Sequence, residues 1–184
     1  MEKFSGLIIS CGRTLERNAS SEIYYILTEL LDYVDVNVEP VKDISGLSIA
    51  VFTIDPIVTI ERIKEIAEKD ISAMRYVLKL VPIQYRILTS LENYEIVSKH
   101  FSLKIDEGDT WKINLRRRHT TISREEIIKK IASKINKGKV MLDNPKKYLI
   151  VEVLGKWTYF SLSTFPELSM SKYGLDDIED EFTF

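Results

Sequence analysis

Apolar positions along the chain switch repeatedly between a two-residue and a three-to-four-residue period. Leu7-Ile8-Ile9-Ser10-Cys11 is a short apolar run that predicts a buried strand. Ile23, Leu27, Leu30 and Leu31 then recur at helical spacing, with Ser20 or Ser21 placed to cap the helix. Val34 to Val38 alternates apolar and polar residues, as a half-buried strand does, and Gly46 precedes a further strand over Leu47–Phe52. Asp55-Pro56 is a cap followed by a first-turn proline, opening a helix that carries Ile60, Ile63 and Ala67 on its inner face. Val77–Val81 closes this stretch as a strand. The order β-α-β-β-α-β is the split βαβ, ferredoxin-like arrangement, and it predicts one domain over residues 1–84.

A second pattern starts near Arg86. Leu91, Tyr94, Val97 and Phe101 mark a helix from Ser90 to Phe101. Trp111, Ile113 and Leu115 alternate with Lys112, Asn114 and Arg116 in a strand that runs to Arg117. Ser123-Arg124-Glu125-Glu126 has capping-box spacing, and the helix it opens buries Ile127, Ile128, Ile131 and Ile135 before Gly138 stops it. Val140–Leu142 reads as a short strand and Asp143-Asn144-Pro145 as a turn. Tyr148–Leu154 and Trp157–Leu162 form a hairpin around Gly155-Lys156. The fold class is therefore α+β. A second, α/β domain spans residues 85–165, and residues 166–184 form an acidic tail expected to be mobile.

Charge changes the picture more than composition does. The net charge is only −2, but from Lys112 to Lys147 twelve basic residues face three acidic ones. The last ten residues hold five acids and no base. Such segregation points to a polyanion for the middle of the chain and a separate role for the tail. A solvated helix face is the plain alternative for the basic run.

Other chemistries find little footing. The seven glycines are too scattered for a phosphate or dinucleotide loop. No nucleophile elbow or zinc-protease motif occurs. Cys11 is the sole cysteine, and His100 and His119 lie far from it, so neither a disulfide nor a metal site is expected. Glu125 and Glu126 sit in a first helical turn, where carboxylates favour the dipole rather than catalysis. No apolar run reaches membrane length and no secretory leader is visible. The expectation is a cytoplasmic, non-catalytic protein with no cofactor.

The stretch Trp111-Lys112-Ile113-Asn114-Leu115-Arg116-Arg117-Arg118-His119, followed by Ser123-Arg124-Glu125-Glu126-Ile127-Ile128, resembles the strand-to-helix core of THUMP domains. Val140–Pro145, Val151-Glu152-Val153 and Phe160-Ser161 resemble the later half, so the likeness spans roughly residues 88 to 165. Members commonly have Val-Asp-Leu where this chain has Val140-Met141-Leu142. Upstream, Arg75-Tyr76, Lys79 and Pro82 resemble a signature of stand-alone THUMP proteins that assist tRNA cytidine acetylation. Lys79 replaces the second arginine there, keeping charge but losing bidentate geometry.

The resemblance implies a domain that follows a ferredoxin-like unit and docks the 3′ end and acceptor region of tRNA. With no catalytic domain expected after residue 165, the chain resembles the adaptor branch, which presents tRNA to a separate N4-acetylcytidine-forming acetyltransferase. A tRNA-binding subunit of a thiolation or methylation enzyme is the alternative, and a protein–protein module for an acidic partner is a third class. The RNA-contact candidates are Lys112, Arg116, Arg118, His119, Lys130, Lys134, Lys137, Lys146, Lys147, Trp157, Arg75 and Lys79. Strand alternation puts Arg116 and Arg118 toward solvent or RNA and leaves Arg117 on the core-facing register. Lys130, Lys134 and Lys137 would add a second basic row on one helix face. Trp157, beside a hairpin turn, is the favoured base-stacking residue over Trp111 and Tyr148.

Overall fold

The computed structural model describes residues 1–173. The chain divides into two compact units, one of residues 5–82 with the segment from Glu167, the other of residues 1–4 with 83–166. The elements in chain order are β1 (Glu2–Cys11), α1 (Glu16–Tyr25), β2 (Asn37–Pro40), β3 (Leu47–Val51), α2 (Pro56–Lys69), β4 (Val77–Leu88), α3 (Leu91–Ser102), β5 (Thr110–Arg118), α4 (Arg124–Ala132), β6 (Lys139–Val140), β7 (Lys147–Leu154), β8 (Trp157–Ser163) and β9 (Leu168–Ser169).

In the first unit the strand order is β2-β3-β1-β4, with β9 added on β4. That is the ferredoxin-like order expected from the alternation of elements. Asp55 caps α2 by accepting from the amides of Ile57 at 2.8 Å and Val58 at 3.3 Å, with Pro56 at the first turn. Ile60, Ile63 and Ala67 are buried, as their spacing predicts.

Three features depart from the sequence reading. First, α1 starts at Glu16, four residues before the expected serine cap. Ser20 is buried instead, and its hydroxyl donates to Ser48 Oγ at 2.9 Å. The Glu16 carboxylate turns back and accepts from the Gly46 amide at 2.6 Å, which holds its pKa below the usual carboxylate range. Second, Asp32 and Asp35 both adopt left-handed backbone, so the chain turns where the strand was expected and pairing begins at Asn37. Third, β4 does not stop near Val81. It runs on through Pro82 to Leu88, and its later part pairs with β8 in the second unit.

The second unit has strand order β4-β8-β7-β5-β6. β5 pairs parallel with β7 over its last eight residues, from Trp111↔Lys147 to Arg118↔Leu154. β7 and β8 form the expected hairpin. Helices α3 and α4 contribute Tyr94, Val97, Phe101, Ile127 and Ile131 to a core shared with Trp111, Leu115, Leu149, Val151 and Phe160. The capping box at Ser123 and Glu126 is complete in both directions. The helix ends at Ala132, short of Gly138. Beyond it Ile135 is still buried, and Gly138 has φ +67° where a Cβ would lie 2.8 Å from the Asp109 carbonyl.

The expectation of a mobile segment from residue 166 is corrected at its start. Leu168 and Ser169 pair with Leu80 and Lys79, and Met170 is fully buried. The acidic run Asp176–Glu181 lies outside the described residues.

Cys11, at the end of β1, is 7% exposed, and burial, reinforced by the Glu16 carboxylate, pushes its thiol up to about 11. Only the thiolate is reactive. Iodoacetamide at pH 8 should therefore label the native protein roughly 100-fold more slowly than the urea-unfolded chain. Comparable rates, followed by mass spectrometry, would mean that β1 opens readily.

Candidate nucleic-acid interface

Parallel pairing brings the carboxyl ends of β5 and β7 side by side. In open α/β sheets that end is where ligands bind, because the following loops and helix N-termini converge there. Past Arg118, His119 adopts left-handed backbone at φ +54° and turns the chain into Thr120–Ile122, which leads to the Ser123 cap. Past Leu154, Gly155 has φ +57° and its amide donates to the Arg118 carbonyl at 2.9 Å. The Thr89 amide donates to the Lys156 carbonyl, also at 2.9 Å, tying in the start of α3. These three turns wall an open groove of about 810 Å³, lined among others by Ser90, Asn93, His119, Thr120, Thr121 and Lys156.

The groove's floor is held rigidly. Ser90 caps α3 by accepting from the Asn93 amide, and Asn93 Nδ2 donates to the Leu88 carbonyl at 2.8 Å. Thr158 Oγ1 lies 2.9 Å from both Thr89 Oγ1 and the buried Tyr94 hydroxyl, whose pKa burial raises. Hydroxyls, an amide, one imidazole and one ammonium face the opening. Together with the apolar Leu88 and Ile122, such a mixed surface can take the phosphate, ribose and base of an unpaired nucleotide.

The predicted site residues divide into several groups. His119 lies in the groove. Trp157 stands at the start of β8, half-buried, with the Arg86 guanidinium 4.7 Å from its ring centroid and Lys156 Nζ at 5.9 Å. Arg86 also bonds the Glu2 carboxylate at 2.7 Å, so part of the indole that would stack a base is covered by a cation from its own unit. Trp111 is core, its indole N–H donating to the Lys137 carbonyl at 3.1 Å.

The arginine triplet keeps its predicted faces but not the predicted exposure. Lys112, Asn114, Arg116 and Arg118 do share the side opposite the helices, but Glu152 waits there. Glu152 is the register partner of Arg116 on β7 and is 1% exposed. Arg116 meets one of its oxygens at 3.1 Å and Arg118 the other at 3.6 Å. Both arginines are half-buried and turned to this carboxylate. Arg117, on the core-facing register but expected either to pair with an acid or to turn outward, is the exposed member, with long bonds of 3.4–3.5 Å to the Ile122 and Thr120 carbonyls. Strand alternation holds through Arg118, and Arg117 is exposed because it stands at the end of the strand beside the Thr120–Ile122 turn.

The lysine row is also reshaped. Lys134 and Lys137 fall beyond the end of α4. Lys130 and Lys134 reach Glu95 of α3 at 3.3 and 3.9 Å, and this carboxyl is held below its usual pKa first by the Lys130 hydrogen bond. Lys147 is tied to Asp109 at 2.6 Å and to the Lys104 carbonyl at 2.8 Å. Lys112 donates to the Leu142 carbonyl, and Lys146 to the Gly108 carbonyl. Arg75 is exposed and Lys79 half-buried, both in the ferredoxin-like unit. The groove residues Asn93, Thr120, Thr121 and Lys156 were not singled out from sequence. The parallel partnership of β5 and β7, which juxtaposes them, leaves no mark in a single sequence.

Among the described residues no cluster of three His, Cys, Asp or Glu side chains is placed to hold a metal ion. No helix among them is long and apolar enough to cross a membrane.

Comparison with known proteins agrees with this geometry. Residues 92–163 match the family model of the THUMP domain. No curated protein matches the chain. Among solved structures the fold is similar to PH1313 of Pyrococcus horikoshii, at 15% identity and TM-score 0.56, covering 90% of this chain and 55% of that one. TrmN of Thermus thermophilus gives 15% and 0.56, covering 90% and 47%. A 4-thiouridine synthetase crystallised with RNA and ATP gives 11% and 0.51, covering 90% and 42%. The chain thus spans about half the length of these solved chains.

Removing Arg116 would leave a buried carboxylate short of one partner. Arg116→Ala should lower stability by about 2 kcal/mol, and Glu152→Gln in the same chain should recover part of the loss. Arg117→Ala should leave stability unchanged within about 0.5 kcal/mol. Urea denaturation of the three variants checks this; equal losses for Arg116→Ala and Arg117→Ala would refute the pairing.

Proposed function

We propose that this chain, which carries a THUMP domain, binds tRNA in the service of tRNA modification. The observation that carries the reading is the groove at the carboxyl ends of β5 and β7, lined by hydrogen-bonding side chains in a unit of net positive charge. Residues 83–166 hold sixteen basic and nine acidic residues. Lysine and arginine attract phosphates and release their counterions, while the groove's fixed donors and acceptors suit an unpaired 3′ end. The family match over residues 92–163 and the likeness to a thiouridine synthetase crystallised with RNA support the choice of RNA.

Within that reading the chain acts as a non-catalytic adaptor. It holds tRNA and raises the effective concentration of substrate for a separate enzyme, an acetyltransferase that forms N4-acetylcytidine. The Arg75-Tyr76 and Lys79 segment supports acetylation. Service to a thiolation enzyme is the second reading, supported by the likeness to the 4-thiouridine synthetase.

Affinity for tRNA should fall when the single-stranded 3′ end is trimmed. About five phosphate contacts would give a log–log salt slope near −4 to −5. Filter binding with intact and trimmed tRNA decides this, and equal affinities would remove the end-docking mode. Incubated with tRNA and acetyl-CoA alone the protein should form no acetylcytidine. Adding the acetyltransferase should yield it, at a rate above that of the enzyme by itself. Turnover by this chain alone would overturn the adaptor reading.

A further inference from the structure

The groove adjoins a smaller cavity of about 220 Å³ in the same unit, and Leu88 and Asn93 line both. Met1, Glu2, Arg86, Ile96 and Trp157 bound the smaller cavity further. Its chemistry differs from the groove's. Leu88 is 45% exposed and Ile96 47%, which gives the cavity an apolar wall. Trp157 is the register partner of Leu88 at the end of the β4–β8 ladder, and cross-strand partners share a face of the sheet. The Arg86 guanidinium lies 4.7 Å from the indole centroid, and its Nε donates to Glu2 Oε2 at 2.7 Å. Sites for drug-sized ligands occupy roughly 300–1,000 Å³. A smaller cavity with an aromatic wall takes a single planar ring system.

Charge separates what the two cavities can hold. The groove's lining includes Lys156 and His119 and no acid. In the smaller cavity Arg86 is already paired to Glu2, whose carboxylate repels a phosphate. Lys156 borders the two, for it lines the groove and its Nζ is 5.9 Å from the Trp157 centroid. A nucleotide whose phosphate lies by Lys156 therefore has its uncharged base within reach of the indole.

We infer that the smaller cavity is a base-recognition subsite, which takes one unpaired base of the RNA end held in the groove and selects for an exocyclic amino group; the inference rests on the RNA-end reading of that groove. Unpaired bases stack on aromatic rings and on arginine planes alike, so Arg86 extends the indole platform rather than blocking it. Glu2 supplies the selection. An ionised carboxylate only accepts hydrogen bonds, and the bond from Arg86 uses one of about four lone-pair sites. Cytosine, adenine and guanine carry amino groups that donate to such an acceptor. The ring N–H of uracil is flanked by two carbonyl oxygens, which a carboxylate repels. The groove then holds phosphate and ribose, while Glu2, Arg86 and Trp157 read the base.

The test uses full-length tRNA in which each unpaired 3′ base that carries an amino group is changed to uracil, one position at a time. The same tRNA trimmed of its unpaired end is the reference. Filter binding gives affinities for the wild type, Glu2→Ala and Trp157→Ala, each made in the full chain. In the wild type, uracil at one position should weaken binding about tenfold, with little effect at the others. Glu2 is more than half exposed, so Glu2→Ala should melt close to the wild type. It should also bind the uracil-bearing and unchanged tRNAs equally. Trp157→Ala should lose roughly tenfold on intact tRNA and nothing on trimmed tRNA, a ratio that general destabilisation does not move. Indifference of the wild type to uracil at every position would overturn the subsite, as would a uracil penalty that survives Glu2→Ala. Equal losses by Trp157→Ala on intact and trimmed tRNA would overturn the stacking. If trimming leaves wild-type affinity unchanged, the RNA-end reading fails and the subsite with it.

Discussion

Parallel pairing of β5 with β7 is the constraint on which the candidate site depends. A parallel pair needs a long crossover, and here α4 and its following loop supply it. The consequence is that two chain segments separated by more than thirty residues leave the sheet at the same end. His119 and Gly155, both in left-handed backbone, turn the two exits, and the Gly155 amide bonds the Arg118 carbonyl to lock them together. An antiparallel arrangement would have sent these turns to opposite ends and left no groove. The same pairing also sets Glu152 beside Arg116, so the register that builds the groove also neutralises part of the basic strand leading to it.

Much of this fold is legible in the sequence because local chemistry and tertiary packing agree. Asp55-Pro56 and Ser123-x-x-Glu126 state their helix starts outright, and both caps form. The apolar faces of α2, α3 and α4 follow from spacing alone. Legibility fails where a long-range contact overrides a local signal. Ser20 looks like a cap, but a buried hydroxyl partner at Ser48 draws it into the helix interior, and Glu16 takes over the start. The run Val77–Val81 reads as a complete strand, yet β4 continues through Pro82 to Leu88.

The basic segment was legible in the sequence, but of the groove only His119 was. Twelve basic residues cluster between Lys112 and Lys147, yet none of them lines the groove. Which of them face outward depends on acids elsewhere in the chain. Glu95 sits on a different helix and engages Lys130 and Lys134. Asp109 precedes the strand and engages Lys147. Glu152 lies on a neighbouring strand and engages Arg116 and Arg118. None of these partners is within helical or turn range of its base, so no periodicity could have announced them. The reverse holds for Asn93, Thr120 and Thr121, ordinary polar residues in sequence that acquire significance only because three turns meet.

The engaged bases bear on how the chain meets a polyanion. A half-buried arginine paired to a buried carboxylate costs desolvation and side-chain entropy to redirect, so it cannot shift freely onto a passing phosphate. Arg116, Arg118 and Glu152 therefore form a fixed polar cluster at the end of β5, before His119. Mobile lysines can follow a phosphate but lose rotamer entropy when they do. A charge held in place by the sheet loses none on binding, and it sits where the strand ends converge. Buried pairing thus trades freely moving cations for side chains whose positions are set in advance.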